Sequence, residues 1–157
     1  MYKDRIRHKG LENKIMSADE AAKFIKDGMT IGMSGFTRAG DVKLVPDAMV
    51  KKANAEPFKI TLITGASLGH DTDKKLCEAG ILERRLPFQV DTTLRKAINE
   101  GKVLFIDQHL SETSEQLRNG HLKSIDCAII EAVAITEDGG IIPTTSVGNS
   151  ASFINQA

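Results

Sequence analysis

What most constrains this chain is a repeated unit: a short apolar run, a loop rich in glycine and hydroxyl residues, then apolar residues at helical spacing. Met29-Thr30-Ile31-Gly32-Met33 has the length and composition of a buried strand, and Ser34-Gly35-Phe36-Thr37-Arg38-Ala39-Gly40 follows as a loop. Leu44, Val45, Ala48 and Met49 then recur at helical spacing, with Lys51 and Lys52 near the end, where cations favour the helix dipole. The unit repeats with Ile60-Thr61-Leu62-Ile63-Thr64, the loop Gly65-Ala66-Ser67-Leu68-Gly69 and a helix over about 72–79. Strands that alternate with helices are joined by right-handed crossovers, which makes them parallel and leaves both sheet faces to be covered. The expected class is therefore α/β, an open, mostly parallel sheet with helices on both faces.

The flanking segments extend the same pattern. Ser17-Ala18-Asp19-Glu20 is a capping-box sequence that opens a helix running to about Lys26, with Gly28 as its stop. A further helix is expected over about 92–100, a strand at Val103-Leu104-Phe105-Ile106, and the longest buried strand at Ile125-Asp126-Cys127-Ala128-Ile129-Ile130. Gly139-Gly140 makes a turn before Ile141-Ile142-Pro143. A length of 157 residues suits one core, so residues 1–157 read as a single domain. Phe153-Ile154-Asn155-Gln156-Ala157 looks like the opening of another helix, which gives the expectation of a two-domain chain cut short.

Composition narrows the function. Lys plus Arg and Asp plus Glu number 21 each, so no net field attracts nucleic acid or an anionic membrane, and a small neutral-to-anionic metabolite suits the chain better. No apolar run has the length of a membrane span, and Met1–Lys9 mixes both charges without an apolar core. A cytoplasmic protein is expected, with a trimmed mitochondrial matrix address as the other option. Cys77 and Cys127 read as reduced, partly buried thiols. His8, His70, His109 and His121 are scattered and lack partners at zinc spacing, so no metal is expected, and His70-Asp71 reads as loop and cap. Nucleophile-elbow, P-loop and dinucleotide motifs are absent.

Ligands of open parallel sheets collect beyond the carboxyl ends of the strands. Three loops qualify there: Ser34–Gly40, Thr64–Gly69, and Thr144-Thr145-Ser146-Val147-Gly148-Asn149-Ser150. Their glycines permit close backbone approach, and their hydroxyls offer donors to an anion. Such loops also serve plain turn and capping purposes, and spacing alone does not choose between the two uses.

Asp27-Gly28, an apolar strand, Ser34-Gly35-Phe36, three residues and Gly40 together resemble the amino-terminal signature of family I coenzyme A transferases. The serine at 34 resembles the branch that holds acetyl-CoA hydrolases and succinyl-CoA:acetate CoA-transferases. So do Leu62–Ser67, Ile130-Glu131-Ala132, Ile135–Gly140 and Ser146–Ser150. The resemblance runs in order over nearly the whole chain and implies a CoA-transferase, NagB-like amino-terminal domain. It departs at three places: Val42 stands for a loop proline, Arg38 for a small residue, and Val90 for a threonine.

What the resemblance implies is CoA transfer between an acyl-CoA and a small carboxylate, here succinyl-CoA and acetate, with coenzyme A as substrate and no permanently bound cofactor. A glutamate attacks the thioester and passes through an anhydride to a glutamyl-CoA thioester. That glutamate belongs to the carboxyl-terminal half of family members, so no catalytic residue is expected within this chain. Glu112, in a superficially similar Ser-Glu setting, and Glu131 read as structural. The residues carried over as substrate-binding are Gly35, Phe36, Thr37, Gly40, Ser67, Ser146, Val147, Gly148 and Asn149. Arg38 reads as a solvated loop residue, with a fork onto a substrate carboxylate as its other use. An acetyl-CoA hydrolase, a non-catalytic anion-binding module and one subunit of a two-gene enzyme are the competing readings. The expected partners are the absent carboxyl-terminal domain and further copies of the chain.

Overall fold

Ser17 opens the first helix as its sequence demands. Its hydroxyl accepts from the Glu20 amide at 3.2 Å, and its own amide donates to the Glu20 carboxylate at 2.8 Å. The structure, a computed structural model, describes residues 3–157; Met1 and Tyr2 of the charged amino-terminal stretch lie outside the described residues. Helix α1 (Ala18–Ala22) ends earlier than the expected Lys26, and turns carry the chain to Gly28, whose φ of +76° leads into β1 (Met29–Met33). Helix α2 (Leu44–Ala55), β2 (Ile60–Thr64), α3 (Thr72–Glu78) and α4 (Thr92–Asn99) match the expected elements closely.

Strand β3 (Leu82–Leu86) is an element that the apolar pattern does not announce. Its sequence, Leu-Glu-Arg-Arg-Leu, is charged at the centre, yet Arg85 is fully buried. Strand β4 (Leu104–Phe105) is two residues long, and α5 (Leu110–Arg118) follows it. Strand β5 (Cys127–Ile129) corrects the expectation of a long buried strand over 125–130: it has three residues, all half-buried, because it pairs on one side only. Strands β6 (Ala132–Ile135) and β7 (Ile141–Pro143) form a separate antiparallel hairpin across the Gly139-Gly140 turn, and α6 (Ser150–Gln156) closes the described chain.

The main sheet has the order β4-β3-β2-β1-β5, with every pairing parallel. The chain steps outward from β1 to β4, then returns through α5 to lay β5 on the other side of β1. This reversal places a topological switch point between β1 and β5. Strand alternation divides the core. Ile31, Met33, Ile60, Leu62 and Leu82 pack with α1–α4 through residues such as Ala22, Met49, Leu76 and Leu94. Ile63 and Leu86 face the other way, onto Leu117 of α5 and Phe153 of α6.

Gly32 explains how α6 reaches the sheet. A Cβ at that position would lie 2.6 Å from the Phe153 ring, so the missing side chain is the seat for a fully buried Phe153. Among the described residues, no helix is long and apolar enough to cross a membrane.

Candidate functional site

The loops after β1 and β2 and the loop before α6 are tied by hydroxyl donors to backbone carbonyls. After β1, buried Ser34 donates to the Gly40 carbonyl at 2.7 Å and accepts from the Glu131 amide at 2.8 Å, which joins the ends of β1 and β5. Phe36 and Ala39 exchange backbone hydrogen bonds at 2.9 and 3.2 Å, closing a tight turn in which Thr37 takes φ +59°. Ser146, from the third loop, donates to the Ala39 carbonyl at 2.6 Å. A Cβ on Gly40 would lie 2.8 Å from that same hydroxyl.

Gly65 is where all three loops meet. A Cβ there would stand 2.8 Å from the Gly35 carbonyl oxygen, 3.0 Å from the Gly148 Cα and 3.1 Å from the Asn149 amide. These neighbours are backbone atoms and cannot rotate away, so the junction requires a residue without a side chain.

Charged side chains brace the junction. Glu131, just after β5, accepts from the Lys43 ammonium at 2.5 Å and from the Thr144 hydroxyl at 2.7 Å. Burial works against its charge, but the Lys43 and Thr144 hydrogen bonds prevail and hold the carboxyl below its ordinary range. Both oxygens are thereby occupied, which makes Glu131 a brace rather than a free carboxylate.

Arg85 does the same job one strand further out. Its guanidinium takes both oxygens of buried Asp73, at 2.8 and 3.1 Å, and also donates to the carbonyls of Ala66, at 3.3 Å, and Leu86. One buried fork thus fixes the start of α3, the β2 loop and the end of β3.

Beside this frame a cavity of about 400 Å³ opens between the loops that follow β1, β2 and β3. Thr37, Arg38, Ser67, Leu68, His70 and Val90 line it, with Asp71, Asp73 and Asp91 on its wall. Ser67 is 3 % exposed, and that sliver faces the cavity. His70 and Asp71 both adopt left-handed backbone, at φ +53° and +57°, a strained arrangement for residues with a Cβ. Their turn carries the His70 ring onto Asp41: Nδ1 lies 2.7 Å from Asp41 Oδ2, and Asp41 is fully buried with Oδ1 lacking a partner. A carboxylate on Nδ1 fixes that nitrogen as the N–H donor and leaves Nε2 as the open one. A larger hollow of about 550 Å³, lined by Lys59, Cys77, Glu100 and Lys102, lies at the amino ends of the strands, where helix carboxyl ends disfavour anions. Among the described residues, no group of three histidine, cysteine or acidic side chains is placed to hold a metal ion.

The structure divides the residues named from sequence into two sets. Thr37 and Ser67 line the cavity. Gly35, Gly40, Ser146, Gly148 and Asn149 lie at the loop junction, where they fix the frame. Phe36 and Val147 are nearly half exposed on the outer surface of their loops. Two residues without a site role in the sequence reading form a pair 29 positions apart: His70 lines the cavity, and Asp41 is buried behind its ring. Their only sequence signal is a histidine inside a strand-end loop.

The family model described as the acetyl-CoA hydrolase/transferase N-terminal domain matches residues 1–157. The chain is 48% identical over 155 residues to the succinyl-CoA:acetate CoA-transferase of Clostridium kluyveri, covering 98% of this chain and 29% of that protein. It is 39% identical over 147 residues to the propanoyl-CoA:succinate CoA transferase of Escherichia coli K12, covering 90% of this chain and 30% of that one. It is also 39% identical over 166 residues to the acetyl-CoA hydrolase of Kluyveromyces lactis, covering 99% and 32%. The chain thus spans about a third of the length of the curated relatives it matches.

Among solved structures, RipA from Yersinia pestis superposes with a TM-score of 0.57 at 14% identity, over 83% of this chain and 30% of that one. The acyl-CoA transferase YdiF of Escherichia coli O157:H7, in a thioester complex with CoA, superposes with a TM-score of 0.53 at 17% identity, over 70% and 23%. These last two likenesses concern the fold. A parallel sheet whose strand-end loops interlock through glycine, matched from end to end by the family model, makes the chain a member of the acetyl-CoA hydrolase/transferase family, in the part that corresponds to its N-terminal domain.

Proposed function

We propose that this chain, as a single N-terminal domain, forms one half of the acyl and carboxylate pocket of an acyl-CoA:carboxylate CoA-transferase that works between succinyl-CoA and acetate. The observation that carries this reading is the cavity at the carboxyl ends of β1, β2 and β3, bordered by hydroxyl and cationic side chains and braced by a glycine junction. Donors fixed before the substrate arrives cost no reorganisation during reaction, which is what a weak carboxylate nucleophile needs from its surroundings.

In this reading the nucleophile is a glutamate supplied by polypeptide outside residues 1–157. Its carboxylate oxygen attacks the acyl carbonyl and CoA leaves as thiolate, giving an acyl-glutamyl anhydride. The thiolate then attacks the glutamyl carbonyl, releases the first carboxylate and leaves a glutamyl-CoA thioester. Acetate reverses the two steps and departs as acetyl-CoA. Gly35, Phe36, Thr37, Gly40, Ser67 and the Ser146–Asn149 loop shape the compartment, and coenzyme A enters only as substrate.

The test is product analysis of the full-length protein with succinyl-CoA, with and without acetate. Acetate-dependent acetyl-CoA supports the transferase. Free CoA and succinate formed equally without acetate make the protein a hydrolase, the activity named for the Kluyveromyces lactis relative, and no turnover of either kind refutes the reading.

A further inference from the structure

The cavity rim carries two nitrogen-bearing side chains, Arg38 and His70, where a monocarboxylate needs only one partner. Arg38 and His70 lie side by side on its rim: a Cβ on Gly69 would be 3.0 Å from both the Cα and Cγ of Arg38, so the arginine stem lies against the residue that precedes His70. We propose that Arg38 and His70 clamp the distal carboxylate of a dicarboxylic substrate, and that buried Asp41 is the positioning residue that aims His70. This rests on the reading of the cavity as an acyl and carboxylate pocket.

The acidic groups of the wall do not compete for the clamp. Asp73 is held by Arg85, Asp91 accepts from the Leu94 amide at 2.8 Å to cap α4, and Asp41 is held by His70. Asp71 is exposed at the rim, where water and salt screen it. Glu131 is taken by Lys43 and Thr144.

In the proposed complex the His70 ring carries both its protons, Nδ1–H on Asp41 and Nε2–H on the distal carboxylate. The Arg38 guanidinium supplies a fork that matches a carboxylate plane. Leu68 and Val90 supply apolar wall for the methylenes between the two ends of such a substrate, and the Ser67 hydroxyl offers a donor to its reacting end. A four-carbon dicarboxylate fits this order of polar, apolar and cationic surface, and a monocarboxylate of equal length leaves the clamp empty.

Two measurements on the full-length protein test this. The first is kcat/KM for succinyl-CoA against butyryl-CoA, acyl groups of equal length that differ in the distal carboxylate. R38M lowers the ratio by roughly tenfold or more, the scale of a charge-assisted hydrogen bond. H70N, with a residue that tolerates left-handed backbone, lowers it severalfold. D41N lowers it while weakening the Nδ1–H hydrogen bond to residue 41, seen in the imidazole nitrogen shifts.

The second measurement is titration with succinate and with butyrate, read at the His70 ring by NMR. Succinate shifts the resonance, butyrate does not, and R38M abolishes the effect. Equal losses for both acyl-CoAs, an unchanged ratio in R38M, or equal shifts by both acids overturn the clamp. A D41N protein with wild-type ratio reduces Asp41 to a loop staple and overturns its positioning role. If no acyl-CoA turns over, the transferase reading fails while the titration still decides the clamp.

Discussion

Gly65 is the residue on which the junction depends most directly. Its three nearest neighbours are backbone atoms of two other loops, so a methyl group there has to push main chain apart. G65A is expected to cost about 1–3 kcal/mol, the range for forced overpacking, and to weaken substrate binding at the same time. Urea unfolding and ligand titration of the same variant check both effects.

Glu131 gives a pH signature. Its folded carboxyl titrates below the ordinary 4.5, so its stabilisation is fully present above that value and is lost as pH falls through the lower folded one. E131Q should therefore flatten the acid limb of the stability curve and leave the slope near neutrality unaltered, a comparison that denaturation at stepped pH provides.

At this scale the sequence announces the glycines and hydroxyls but not their division of labour. Ser34 and Ser146 look alike as loop donors, yet both are spent on backbone carbonyls, whereas Ser67 faces the cavity. His70 escapes notice because its partner Asp41 lies in another loop, and no local pattern records that pairing.

Among the elements, those with plain apolar periodicity are legible. β1, β2 and α2 lie where their residues place them, since strand alternation and helical spacing are local signals. β3 is hidden for a physical reason. Its Arg85 is buried through a side-chain fork onto Asp73, so a charged residue occupies a position that the pattern reserves for an apolar one. Breaking that fork is expensive: R85M leaves Asp73 buried without its cation and is expected to cost about 3–5 kcal/mol, read as a lowered denaturation midpoint. β5 is overestimated for the opposite reason. Ile125–Ile130 reads as deeply buried, but an edge position leaves its strand short and half exposed. On the far face α6 depends on one anchor. F153A removes the ring that fills the Gly32 notch and is expected to cost about 3–5 kcal/mol, with loss of α6 protection in hydrogen exchange.

For the molecule as a whole, the α/β class and the meeting of three strand-end loops follow from the repeated strand–loop–helix unit. The strand order does not, because the reversal that puts β5 beside β1 is a long-range pairing without a local signature. The proposed function makes a direct demand at this scale. The purified 157-residue chain should show no thioester exchange above buffer, because the glutamate nucleophile is assigned elsewhere, and turnover at a rate comparable to full-length relatives would overturn that assignment. The exposed Ile141, Ile142 and Val133 of the hairpin, beside the open edge of β5, predict association of the isolated chain. Sedimentation at several concentrations checks this, with a concentration-independent monomer as the contrary result.

The contact of Gly35, Gly65 and Gly148 separates what selection is free to alter from what it is not. A keel made of main chain offers no side chain to exchange, so a lineage changing its diet of acids has to leave it alone and work on the gunwale, at positions 38, 70 and 90. Related enzymes should therefore diverge in appetite by trading rim side chains in correlated sets while the hull beneath them keeps its shape.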